Sequence, residues 1–155
     1  MTSKSELASL NCSLARALAM VGDSWSVLIL RDAFLGSGRF GEFQRSLGIA
    51  KNILADRLER LVCAGLLIRE NGPRYALTDK GRELLPALVA LAQWGDRFAS
   101  DGAPPMIFTD AEGRPVDAVA LAAAGAPLDP SDLRVAPGPG ADARTRAFLL
   151  SLSRP

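Results

Sequence analysis

The chain has 155 residues, 48% hydrophobic and 23% charged, with 18 basic and 17 acidic side chains and no histidine. That is apolar material for one domain, or one small domain with an appendage, and a net charge of +1 gives no global attraction to nucleic acid. Two cysteines without histidine offer neither a metal site of ordinary ligand count nor a disulfide framework, and no run approaches the ~20 apolar residues of a membrane span. The expectation is a cytoplasmic protein with reduced thiols, no metal, no cofactor and no membrane partner, since the start MTSKSELASL also lacks the apolar core of a signal peptide.

Residues 4–10 read as a polar arm carrying Leu7 and Leu10. Asn11 is placed to cap a helix from Cys12 to about Val21, with Leu14, Ala17, Leu18 and Val21 on one face. Leu7, Leu10, Leu14, Ala17 and Val21 also fit an a/d-like spacing, which leaves two readings open: a seam between subunits, or packing on the chain's own domain. Gly22 breaks this helix. Asp23 or Ser24 caps the next, whose apolar residues are Trp25, Leu28, Ile29, Ala33 and Phe34, and Gly36-Ser37-Gly38 ends it. RFGEFQRSLG follows as a short helix with Phe40, Phe43 and Leu47 inward.

The stretch 48–65, GIAKNILADRLERLVCAG, is the pivot of the chain. A turn at Gly48 opens a helix, and Gly65 at its C-cap can take the positive φ that stops it. Leu54, Leu58 and Leu61, flanked by Val62, form one apolar stripe, while Asn52, Ala55, Asp56 and Glu59 point away. Next come strand-like segments 66–69 and 74–77, joined by Glu70-Asn71-Gly72-Pro73, where Asn-Gly marks a tight hairpin. Thr78 caps a long helix from Asp79 to about Ala99, with Leu84, Leu88, Leu91, Gly95 and Phe98 along one side, Leu85 and Trp94 beside them, and Pro86 as a candidate kink. Residues 101–105 are a linker, MIFTDAEGRPVDAV reads as a small hairpin turning at Glu112-Gly113, the following Ala/Gly/Pro-rich segment is weakly patterned, and RTRAFLLSL is a last helical turn or two.

Helix, turn, helix, hairpin is the order of a winged helix-turn-helix, in which the second helix enters a DNA major groove. The fold expected is mainly α with a small β wing, dimeric, with residues 1–100 as the DNA-binding and dimerisation domain and 101–155 as a small C-terminal extension. Charge distribution agrees with that division. Residues 39–82 hold nine basic and five acidic side chains, whereas the part beyond residue 100 holds five basic and seven acidic.

Cys12 with ARAL (15–18), VGDSWSVLILRDAFLGSGRF (21–40), GIAKNILADRLERLVCAGLL (48–67), YALTDKGREL (75–84) and LVALAQWGD (88–96), in this order and spacing, resemble the HxlR-type winged-helix regulators, a branch near the MarR family. The resemblance covers roughly residues 12–98. It implies a homodimeric, DNA-binding transcriptional repressor or activator that responds to a small molecule or a reactive electrophile. The recognition helix opens with Ala50 where a capping Ser is usual, the wing is short, and the zinc-ribbon-like cysteines that some relatives carry in a C-terminal extension are absent.

Within this frame Lys51 and Asn52 stand in the first turn of the recognition helix, where Asn pairs with adenine and Lys reaches guanine or phosphate. Asp56 either accepts from a cytosine amine or holds a neighbouring Arg, and Arg57 either binds phosphate or makes a structural salt bridge. Arg69 and Arg74 flank the wing turn, Asn71 sits at its tip, and Arg39 precedes a helix; all are candidates for backbone or minor-groove contact, against plain solvation. Cys12, at a helix N-terminus that favours a thiolate, is the redox or electrophile sensor in several family members; the competing role is simple packing. Leu7, Leu10, Leu14, Leu18, Leu88, Leu91, Trp94 and Phe98 are assigned to the dimer interface. Trp25 and Trp94 belong to the core or interface, or line an effector pocket between the long helix and the DNA-binding domain. The functional expectation is a DNA-binding regulator, most simply a repressor, partnered by double-stranded DNA, a second copy and a small-molecule effector. The alternative is a winged-helix protein-interaction module. With no histidine, no paired carboxylates and no nucleotide fingerprint, an enzyme is not expected.

Overall fold

The computed structural model describes residues 4–101, 103–116, 120, 122–123, 125–129 and 133–152. Its centre is helix α5, Lys51–Cys63, whose Leu54, Leu58 and Leu61 are all fully buried. Gly48, at φ 63°, ends the preceding helix α4 (Phe40–Leu47) and supplies the turn. At the other end, Gly65 takes φ 68°; its N–H donates to the Val62 carbonyl (2.9 Å) and the Leu66 N–H to that of Leu61 (2.9 Å). These are the paired bonds of a Schellman motif, which satisfy carbonyls the helix leaves open.

The core around α5 is built from Ile29 and Leu30 of α3 (Ser24–Phe34), Phe43 of α4, Ile49 in the turn, and Leu66, Leu67 and Leu77 from the wing. Asp23 caps α3, its carboxylate accepting from Ser26 N and Ser26 Oγ, both at 3.0 Å. In α4 the carboxylate of Glu42 reaches back to the N–H groups of Gly38 (2.8 Å) and Arg39 (2.9 Å). Strands β1 (Leu67–Arg69) and β2 (Tyr75–Leu77) pair antiparallel with Leu67 opposite Leu77 and Arg69 opposite Tyr75. Tyr75 N also donates to the Gly38 carbonyl (2.6 Å), fastening the wing to the start of α4.

Helix α1 (Lys4–Ser9) occupies the arm, and α2 (Ser13–Val21) follows. Asn11 does not cap α2. Its Nδ2 donates to the Gly140 carbonyl (2.9 Å) and its Oδ1 accepts from Asp142 N (3.2 Å), so the side chain is spent on the C-terminal segment. A second departure concerns the long helix. Thr78 does cap, accepting from Gly81 N (3.0 Å), but the helix breaks into α6 (Asp79–Arg82) and α7 (Leu85–Ala99). Pro86 lies in the first turn of α7, where its missing N–H costs nothing, so it starts a helix instead of kinking one. Gly81 is buried, and a Cβ there would lie 2.2 Å from the Leu66 carbonyl oxygen; α6 can approach the end of α5 only because this residue has no side chain.

Two compact units emerge: Met20–Val119, and Met1–Ala19 together with Ala120–Pro155. The boundary drawn at residue 100 followed composition, whereas these units follow proximity along the folded chain. In the first, the expected hairpin turns at Gly113 (φ 79°), with Asp110 Oδ1 accepting from Glu112 N and Arg114 N and with Thr109 bridged to Pro115. Its last positions, 117–119, lie outside the described residues. The second unit holds strands β3 (Ala122–Ala123) and β4 (Ala126–Pro127) and helix α8, Ala143–Leu152. Among the described residues no single helix is long and apolar enough to cross a membrane.

Candidate nucleic-acid interface

Burial of the leucine stripe forces the opposite face of α5 outward. Lys51, Asn52, Ile53, Ala55, Glu59 and Arg60 are exposed. Lys51 and Asn52 occupy the first turn, the end of a recognition helix that approaches base edges. Ala50 makes no side-chain cap, so the first N–H groups of α5 have no protein side-chain acceptor from it and stay open toward an anion such as phosphate.

Asp56 and Arg57 are drawn into a different arrangement. Arg57 is three-quarters covered; its guanidinium pairs with Asp56, and its Nε lies 2.9 Å from Asp23 Oδ2 as an ion pair off the hydrogen-bond axis. Asp56 also takes Arg60 Nε at 2.9 Å. Hydrogen bonding from Arg60 first, then the charges of Arg60 and Arg57, hold the Asp56 carboxyl below its usual range. Burial pushes the Asp23 carboxyl up, but the bonds from Ser26 N and Ser26 Oγ, and then the Arg57 guanidinium beside it, outweigh it and leave it lowered. The result is a chain of charges, Asp23–Arg57–Asp56–Arg60, that fastens α5 to the N-terminus of α3. Nothing in the local pattern of α5 signals Asp23 as the partner, because the two meet only through the packing of α3 on α5.

Arg39, Arg69, Asn71 and Arg74 are exposed around the wing. Arg39 and Arg74 are brought side by side by an antiparallel backbone bridge. Arg69 lies over the Tyr75 ring, 5.5 Å from its centroid, and Arg74 Nε is 3.4 Å from Glu70. Thus the structure assembles three arginines at the wing and Lys51 with Asn52 on the helix. Ile53, 37% exposed, lies in the same turn of α5 and fits neither the leucine stripe nor a polar contact, so no pattern in the sequence singles it out.

Of the residues assigned to subunit contact, Leu10, Leu14 and Leu18 are exposed at 46%, 69% and 47%, and Leu91, Trp94 and Phe98 at 57%, 59% and 66%. Leu7 is partly covered, and Leu88 packs on the chain's own core. Trp94 and Phe98 are in contact with ring centroids 5.5 Å apart and planes tilted by 47°, while Trp25 packs against the core. Cys12 and Cys63 are free and exposed.

A helical core with a helix-turn-helix and a two-stranded antiparallel wing defines a winged helix-turn-helix protein. Residues 20–103 match the HxlR-like helix-turn-helix family, and the chain belongs to that family. It is 47% identical over 92 residues to an uncharacterized HTH-type transcriptional regulator of Mycobacterium tuberculosis, covering 56% of this chain and 58% of the relative, so it matches little more than half the length of that relative. Among solved structures it resembles PA1607, named as a candidate transcription factor (46% identity, TM-score 0.73, covering 83% of this chain and 96% of that one). The redox regulator HypR in its reduced form (27%, TM-score 0.53, covering 59% and 99%) and the quinone-bound YodB of B. subtilis (29%, TM-score 0.51, covering 56% and 99%) share the fold.

Proposed function

We propose that the chain is a transcriptional regulator that binds double-stranded DNA as a homodimer, α5 reading base edges in the major groove and the wing arginines holding the backbone. The observation that carries this reading is the exposure of Lys51 and Asn52 in the first turn of α5, together with a wing on the same unit that carries the exposed Arg39, Arg69 and Arg74. Each phosphate contact releases counterions, so binding must weaken steeply with salt, while base contacts set the sequence. Arg57 and Asp56 act by orienting α5. A dimer would read half-sites about one helical turn apart, and the exposed Leu91, Trp94 and Phe98 of α7, with Leu10, Leu14 and Leu18, supply apolar surface for that association.

The expected sign of regulation is repression, released by a small molecule or electrophile. Support comes from the redox regulator and the quinone-bound regulator among the solved relatives, and from the exposure of Cys12, which electrophile attack requires. The test is selection of genomic fragments by the purified protein, followed by salt titration on the best fragment. A sequence-selective site whose log–log salt slope falls by about 1 in Lys51→Ala supports the reading. Fragments no better than random DNA, at every salt concentration and with or without quinone, would point instead to a protein-interaction module. Oxidant treatment of the wild type and Cys12→Ser then separates a sensing thiol from a packing one.

A further inference from the structure

A cavity of about 350 Å³ opens between α3 and α7, with Pro105, Met106 and Phe108 also lining it. This volume lies within the range of small-molecule sites, about 300–1,000 Å³. The walls are apolar: Val27, Leu28 and Phe34 on α3, Leu88 and Leu91 on α7, and Met106. Neither Trp25 nor Trp94 lines it. Two charged side chains do, Arg31 and Asp96, and which of them is available decides what the cavity takes.

Arg31 is committed. Its Nε (2.9 Å) and Nη2 (2.7 Å) both donate to Oδ1 of Asp32, a carboxylate only 2% exposed whose Oδ2 has no partner at all. An anion that drew Arg31 off Asp32 would leave a buried carboxylate uncompensated, which the interior penalises heavily, so only the remaining Nη1 is left to serve the cavity and the net charge of the pair there is zero. Asp96 is different. Among the described residues no basic side chain pairs with it. It stands in the last turn of α7, where the helix dipole disfavours a carboxylate, so it does not serve the helix. Arg31 and Asp32 cancel, and the cavity is left with one unmatched negative charge on an apolar wall.

We propose that this cavity binds a small lipophilic cation, its apolar body between α3 and α7 and its ammonium group on Asp96. The proposal rests on the reading of the chain as a ligand-responsive regulator and names the ligand's chemistry. Occupancy would reach the DNA-binding face through α3, which forms one cavity wall and whose N-cap, Asp23, holds Arg57 of the recognition helix.

The experiment uses the full chain and three probes with the same ring system: 1-naphthylmethylammonium, 1-methylnaphthalene and 1-naphthylacetate. Titration calorimetry should show the cation binding about tenfold tighter than the neutral and anionic probes, the size of one charge-assisted contact. Asp96→Asn should erase that preference while the neutral probe binds as before. Gly95→Leu should abolish binding of all three; Gly95 lines the cavity, and a Cβ there meets nothing within 4 Å, so the new side chain leaves the helix without a clash at its root, and an unchanged melting temperature shows that the fold is intact. Equal affinity for all three probes, preference for the anion, or a cation preference that survives Asp96→Asn overturns the proposal. Fragment binding is measured in parallel without probe. Selective DNA binding by a protein that takes up none of the probes overturns the cavity proposal alone, whereas a probe-free protein without DNA selectivity that nevertheless binds the cation overturns the regulator reading alone.

Discussion

Helices α5 and α7 carry similar apolar stripes and meet opposite fates. The leucines of α5 are sealed, each at 0% exposure, whereas Leu91, Trp94 and Phe98 of α7 stand 57–66% exposed. Helix α5 is packed by α3, α4 and β1, while α7 has α3 as its main helical neighbour. Periodicity shows that a helix has an apolar face; only the arrangement of neighbouring elements decides whether this chain or another copy covers it. The difference also divides the work. A sealed helix is held at a fixed angle, which suits the DNA reading proposed for α5, and an uncovered one suits the association and ligand entry proposed for α7.

The largest effect should come from opening the sealed side. Leu58→Ala removes a fully buried side chain and should cost about 2–5 kcal/mol of folding stability, read by urea denaturation. If the loss is below 1 kcal/mol, α5 is not anchored as its burial indicates. Next is Gly81→Ala. The added methyl meets the Leu66 carbonyl at the end of α5, and overpacking of this kind costs about 1–3 kcal/mol. On the uncovered side the sign of the test changes. Trp94→Ser should leave the melting of the isolated protomer within about 0.5 kcal/mol of wild type while weakening self-association by about 2 kcal/mol, measured by sedimentation. A Trp94→Ser protein that unfolds would mean that α7 is covered within the chain after all.

Legibility followed the same divide. The bounds of α5 could be read because Gly48 and Gly65 are needed at positive φ, and its stripe because three leucines recur at helical spacing. The break between α6 and α7 could not, since Pro86 is compatible with either a kink or a first turn until Gly81 is seen against the Leu66 carbonyl. Lys51 and Asn52 were visible as exposed first-turn residues, but the burial of Arg57 against Asp23 depends on two helices meeting. RTRAFLLSL reads as helical and forms most of α8, but the Ala/Gly/Pro-rich segment before it has too little periodicity to place β3 or β4, and the fastening of Asn11 to Gly140 is a long-range contact that no local pattern encodes.

That long-range link between α3 and α5 gives a smaller, pH-dependent effect. Asp23→Ala removes the cap of α3 and the partner of Arg57 and should cost about 1 kcal/mol at neutral pH. Because the folded carboxyl is lowered from the usual 3.8, its contribution is fully present above that value and is lost as pH falls through the folded value. The melting temperatures of wild type and Asp23→Ala should therefore differ at pH 7 and converge in acid below pH 4. A gap that persists unchanged there would show that the carboxylate charge contributes nothing.

The smallest effect tests whether α5 is also held at its N-terminal end, the end proposed to face DNA. Ala50, at the N-cap with extended backbone (φ −63°, ψ 140°), offers no side-chain acceptor to the first turn. Ala50→Ser supplies one in a geometry that already suits a cap, and should stabilise the fold by about 0.5–1 kcal/mol. The same hydroxyl would occupy N–H groups that otherwise remain open to a phosphate, so the stabilised variant should bind its fragment no better, and slightly less tightly, than wild type. If Ala50→Ser raises stability and affinity together, the open turn is a weakness of folding only. If it raises stability while lowering affinity, the missing cap serves recognition, and the buried leucine stripe alone suffices to hold α5.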